Sequence, residues 1–258
     1  MNKSYFSSFL LFSFSVLLLV GCGEKSGAPT STEKPTSSQT AAVKIDPATA
    51  GSVAGVVKFE GASPKAQAID MSQDPACTMG AAPNSSEAFA VKGGKLGNVF
   101  VYVKEGLPAG KYEVPQPTVI DQKGCKYVPH VAGAMAGQKV QFLNSDPTMH
   151  NVHPDAQANS PWNVTQTPKG EPIEKSFPHA ELMMKVSCNQ HPWMRMYLNV
   201  VEHPFFAVSD AEGKFEIAGL PAGDYLLGFV HEKLGEETVE VKVEAQKAAK
   251  VEISFGVK

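Results

Sequence analysis

The chain is predicted to be all-β, two β-sandwiches behind a disordered N-terminal tether. Apolar and polar residues alternate over short runs in its later part. These runs recur about every eight to twelve residues with Gly and Pro between them, the spacing of a sandwich. No stretch of the chain reads as a convincing amphipathic helix.

The beginning is of a different kind. Lys3 and an almost wholly apolar run over 9–20 make a secretion-type signal, too brief and too close to the terminus to span a membrane. It ends Leu19-Val20-Gly21-Cys22, which resembles a bacterial lipobox. That resemblance implies a lipidated Cys22 as the first mature residue, within a signal segment 1–22. Gly23, in place of Asp, implies retention at the outer membrane. The alternative is an ordinary secretion signal with an incidental Cys. A lipid anchors without spanning. Residues 23–50 are mostly Ser, Thr, Pro, Ala and Lys, too poor in apolar surface to order themselves, and are expected to be a flexible tether.

The remaining stretch, about 200 residues, suffices for one large or two modest domains. With 23 basic against 26 acidic side chains and no basic run, nucleic acid is excluded as a partner. Residues 53–60 alternate and stop at Gly61, and 98–104 are strongly β-prone. Further on, Leu182, Met184, Val186 and Cys188 fall on one face of a strand, with Glu181, Lys185 and Ser187 on the other. This pattern delivers a thiol from the buried side. After Met194, Leu198 and Val200 alternate with Tyr197 and Asn199. Between these regions, 155–178 is rich in Pro, Asn, Thr and Gln and reads as one long loop beside His150.

The chemistry is concentrated in Cys188-Asn-Gln-His191-Pro192-Trp193-Met194 and, upstream, Met149-His150-Asn151-Val152-His153. A thiolate, two imidazoles and a thioether are the ligand set of an electron-transfer copper site. Zinc is the rival, but it seldom recruits Met and prefers four strong ligands. With Lys126-Tyr127, Pro129, the run Ala136-Gly137-Gln138-Lys139-Val140 and Asn144, these motifs resemble the cupredoxins over about 114–201, the amicyanin type most of all. The resemblance implies a Greek-key sandwich holding one type 1 copper through His150, Cys188, His191 and Met194. It also implies that the Asn151 side chain ties the two ligand loops together. Pro192, without an amide hydrogen, would leave the thiolate fewer hydrogen bonds. Trp193 would cover the metal, and electrons would pass at an exposed edge of His191.

The final fifty residues resemble the carboxypeptidase-regulatory-like module, a transthyretin-like, non-catalytic sandwich. The signs are Asp210-Ala-Glu-Gly213-Lys-Phe215 and Pro221-Ala-Gly223-Asp-Tyr225, then alternation through Val239, Val241 and Val243 and a last strand with Val251, Ile253 and Phe255. The module's opening strands occur before the copper motifs, as Gly51-Ser-Val-Ala-Gly-Val-Val57 and Asn98-Val-Phe-Val-Tyr-Val103. The expected order is therefore a host sandwich in two parts, 51–110 and 204–258, with the copper domain 111–203 inserted. Two consecutive domains are the alternative.

Of four cysteines, Cys22 goes to lipid and Cys188 to metal; Cys77 and Cys125 remain. In an oxidising compartment they are most simply a disulfide, here a staple between the domains, although a second metal site with His130 stays open. His130, His179, His203 and His231 read as surface groups near Pro or turn residues, His153 as a surface or loop residue, and Trp162 as exposed. No nucleophile elbow, phosphate loop or carboxylate pair is present, so an enzyme is not expected. The expectation is an envelope-anchored carrier of single electrons between redox proteins, touching the membrane by its lipid alone. Copper delivery without electron transfer, or glycan or protein binding by the host sandwich, are the rival readings.

Overall fold

The computed structural model describes residues 42–79 and 84–256. The signal-like segment, Cys22 and the tether as far as 41 lie outside them. Strands β1 (Gly51–Glu60), β2 (Val91–Lys92), β3 (Lys95–Leu96) and β4 (Phe100–Glu105) come first, with one short helix, α1 (Pro75–Thr78), between β1 and β2. Then come β5 (Thr118–Gln122), β6 (Tyr127–Val128), β7 (Val131–Met135), β8 (Lys139–Asn144) and β9 (His150–Pro154). Next are β10 (Val164–Gln166), β11 (Ile173–Ser176), β12 (Glu181–Ser187) and β13 (Arg195–Val201). The chain closes with β14 (Phe206–Val208), β15 (Lys214–Leu220), β16 (Gly223–His231), β17 (Gly235–Val243) and β18 (Ala248–Gly256). It is an all-β protein.

Four sheets share these strands. One has the order β15-β1-β3-β2, with β18 also on β1, and a second the order β14-β4-β16-β17. Both draw on strands from either side of β5–β13, and between them lies a core that includes Val57, Leu96, Val101, Ile217, Leu227 and Phe229. The intervening strands make β10-β9-β12-β13-β7 and β11-β8-β5-β6, around a second core. Alternation explains β8: Val140 and Phe142 are fully buried, while Lys139 is exposed and Gln141 half-buried. Met71 and Cys77, from the β1–β2 connection, also enter this second core.

Residues 42–50, assigned to the tether on composition, belong to the first sandwich: Ile45 packs on its core, Val43 N–H donates to Lys111 O at 2.8 Å, and Gln246 Nε2 donates to Pro47 O at 2.9 Å. The stretch 155–178 is not one loop but contains β10 and β11, organised by the buried Gln166, whose Nε2 donates to Phe142 O at 3.0 Å and Glu171 O at 2.9 Å. Trp162 is half-buried rather than exposed, edge-on to Phe142. In β12 the alternation holds from Met184 to Cys188 and breaks at Leu182, which is exposed. A bulge between Glu181 and Met184, with Met183 at φ 52°, causes the break, and Asn199 Oδ1 accepts the Met183 N–H at 2.8 Å. Asn199 is itself fully buried, and its Nδ2 donates to Ala132 O at 3.3 Å.

Between the two sandwiches lies an aromatic and aliphatic layer of Phe100, Tyr102, Val131, Val201 and Val230, with Phe206 against it. At Gly133, in β7, a Cβ would meet Phe206 ring carbons at 2.5 Å, so only glycine admits that ring. His130 and His231, expected at the surface, are buried: His130 packs against Tyr197 and Glu232, and His231 against Phe89 and Phe255. The His130 Nε2 pairs with Glu232 Oε1 at 2.5 Å, both side chains nearly inaccessible. Half-buried His203 is likewise engaged, its Nε2 donating to Val103 O at 2.8 Å, whereas His179 is exposed as expected.

His231 Nδ1 accepts the Lys233 N–H at 3.2 Å, which places its proton on Nε2, between the rings of Phe89 and Phe255. Burial holds this imidazole neutral and depresses its pKa from 6.5 to about 4. Between those values the unfolded chain binds a proton that the folded chain refuses, so stability should fall as pH drops through that window. The loss is bounded by about 3 kcal/mol for a shift of this size. Urea unfolding at a series of pH values should show this slope, and His231→Phe should remove it.

Candidate metal centre

Two strand ends bring the ligand-type residues together. His150 opens β9, and the loop from Cys188 to Met194 joins β12 to β13. That loop is closed by its own backbone: Met194 N–H donates to His191 O at 2.8 Å and Cys188 N–H to Met194 O at 3.2 Å. The side chains of His150, Cys188, His191 and Met194 are buried, at 0%, 2%, 3% and 1% exposure. Cys188 Sγ lies 3.6 Å from His191 Nδ1, and the two Nδ1 atoms of His150 and His191 are 2.9 Å apart. One ligand atom from each of His150, Cys188 and His191 falls within 4.8 Å of the others.

The far side of each ring decides its chemistry. His150 Nε2 contacts Asp146 Oδ2 at 2.9 Å, and His191 Nε2 contacts Asp74 Oδ2 at the same distance. A carboxylate can only accept, so each imidazole places a proton on Nε2, and each ring, when neutral, turns an Nδ1 lone pair inward. Two such lone pairs and a sulfur then face one another in a site closed to water. This is unfavourable for neutral rings alone and favourable around a cation. The donor set of two imidazole nitrogens and a cysteine sulfur, with the buried Met194 in the same loop, fits copper.

The surroundings also favour thiolate. Burial alone would raise the Cys188 pKa, but hydrogen bonds with His150 and with the Asn151 and His191 backbone hold it down to about 6. The Asn151 N–H reaches Sγ at 3.3 Å. For His150, burial opposes the charged form, yet Asp146 and Cys188 together raise its pKa. Asp146 carries its own support, accepting the Gly124 N–H at 2.6 Å and the Cys125 N–H at 2.8 Å.

His150, Cys188 and His191 come together in one buried place, and Met194 is buried in the loop that carries two of them. The link between the ligand loops runs through the Asn151 backbone; its side chain turns away to Asn163 and Thr165, both at 3.1 Å, because β10 lies on that side. Pro192 is exposed and makes no amide contact to sulfur. Trp193 is half-buried, with its ring 5.1 Å from that of His191 and its Nε1 donating to Cys125 O at 3.1 Å. The edge of His191 expected to be exposed is instead covered by Asp74. His153, expected at the surface or in a loop, is half-buried in β9 and its Nδ1 meets Asn189 Oδ1 at 2.9 Å. Cys77 and Cys125 form a disulfide with Cα atoms 5.5 Å apart, leaving Cys188 as the free cysteine among the described residues.

Asp74 and Asp146 were missed. Their only sequence signal is proximity: Asp74 stands just before Cys77, and Asp146 just before His150.

No family model and no curated protein matches the chain. Among solved structures, it is similar to a copper-containing nitrite reductase from Thermus scotoductus at 24% identity and a TM-score of 0.31, over 37% of this chain and 24% of that one. A purple cupredoxin from Nitrosopumilus maritimus aligns at 20% identity and a TM-score of 0.28, over 32% of this chain and 98% of the other. An oxidized amicyanin variant aligns at 20% identity and a TM-score of 0.30, over 39% and 97%. The match thus spans under a quarter of the nitrite reductase's length.

In the metal-free protein the ultraviolet thiolate absorbance of Cys188 should half-titrate at about pH 6. A midpoint close to the ordinary thiol value of 9.0 would show that the contacts to sulfur are not made.

Proposed function

We propose that the region 111–203 is a cupredoxin-type copper domain set into the host sandwich of 42–110 and 204–258, and that the protein carries single electrons. The observation that carries this reading is the buried convergence of both Nδ1 atoms on Cys188 Sγ, with both Nε2 atoms tied to carboxylates. His150, Cys188, His191 and Met194 would hold the ion. Copper bound there supplies a one-electron couple between its +1 and +2 states.

The residues themselves do the rest. Burial keeps water off all four donors, which supports a carrier over a hydrolytic or oxygen-activating enzyme, since such catalysis needs an open position. Asp146 and Asp74 fix the ring protons, so neither imidazole has to turn when a cation enters. Exposed Pro192 and half-buried Trp193, beside His191, mark the face on which a redox partner would dock. Contacts of that kind are small and brief, below about 1,200 Å². The lipobox-like residues ending at Cys22 support an envelope-anchored location.

The deciding experiment is the absorption and electron-spin-resonance spectrum of the copper-loaded protein beside Cys188→Ala. An intense visible thiolate-to-copper band should be present in the first and absent in the second. A visible band that survives the substitution, or a wild-type protein that takes up no copper, contradicts the reading.

A further inference from the structure

Asp74 does not belong to the strands that carry the other site residues. It lies in the connection between β1 and β2, in the chain of the first sandwich, yet its Oδ2 meets His191 Nε2 at 2.9 Å across 117 residues of sequence. Further bonds hold it there. Its Oδ1 accepts the Ala76 N–H at 2.9 Å, and its Oδ2 accepts the Thr148 hydroxyl at 2.9 Å. Just beyond, Cys77 in α1 is bonded to Cys125, whose own N–H supports Asp146. Asn84 Nδ2 adds a bond to Gly124 O at 2.7 Å. The disulfide thus couples the two turns that carry the two carboxylates.

We propose that Asp74, held by the Cys77–Cys125 bridge, is a positioning residue for the metal site: a clasp supplied by the host sandwich that keeps the His191 proton on Nε2 and seals that ring from solvent. The inference builds on the copper reading but makes a separate statement about the empty protein. Without the clasp His191 would be free to carry its proton on either nitrogen and to swing outward, exposing its edge. With it, the ring is preorganised and the route to solvent lies beside Trp193 instead. Partners of metal-binding histidines of this type are worth about 10–100-fold in affinity.

Two measurements test it. In metal-free protein with labelled histidine, long-range proton–nitrogen correlation at alkaline pH should place the His191 proton on Nε2. Asp74→Ala should mix the tautomers, and Asp74→Asn, whose amide oxygen still accepts, should restore the wild-type pattern. A wild-type proton on Nδ1, or an Asp74→Ala spectrum unchanged at His191, overturns the proposal. In copper-loaded protein, Asp74→Ala and the Cys77→Ser, Cys125→Ser double variant should each lose about 10–100-fold in copper affinity and yield the ion faster to a chelator. Equal release from wild type and Asp74→Ala overturns the sealing role. Failure of wild type to bind copper would sink the copper reading alone, because the tautomer result still judges the clasp. A normal copper spectrum with unmoved tautomers would sink the clasp alone.

Discussion

Two imidazole rings with Nδ1 atoms 2.9 Å apart, beside a cysteine sulfur, constrain everything around them. Each ring must keep its proton on the outer nitrogen, and each therefore needs an acceptor there. Asp146 and Asp74 provide it. The site brings these donor atoms together in advance, and assembling them costs free energy that the rest of the fold must supply. Two packed cores, the aromatic layer between them and the disulfide are what hold it together.

That requirement accounts for an otherwise odd feature of the topology. The strands of β5–β13 and their loops provide the thiol, both histidines and one carboxylate, but the second carboxylate comes from the β1–β2 connection. Neither sandwich completes the site alone. The contacts between the sandwiches, from Gly133 under Phe206 to His130 against Glu232, keep them registered and so bear indirectly on the position of Asp74.

Much of this was readable in the sequence. Strand alternation identifies an all-β chain, and a Cys and His in one seven-residue loop, with a His-Asn on another strand, name the three side chains that converge. What escaped was of another kind. Asp74 and Glu232 act across more than a hundred residues, through side-chain geometry that no local pattern encodes. Leu182 left its expected face because a single left-handed residue, Met183, shifts the register, and a period of two cannot announce its own interruption. The strands β10 and β11 hid in a polar stretch because they are short and half-exposed, their pairing directed by the buried amide of Gln166.

The central claim is that one ion is held jointly by a sulfur from the β12–β13 loop and nitrogen from two imidazoles. X-ray absorption at the copper edge of the loaded protein measures this most directly. The account predicts one short sulfur neighbour and two imidazole nitrogens in the first coordination shell. A shell of nitrogen and oxygen alone, with no sulfur at bonding distance, would contradict it.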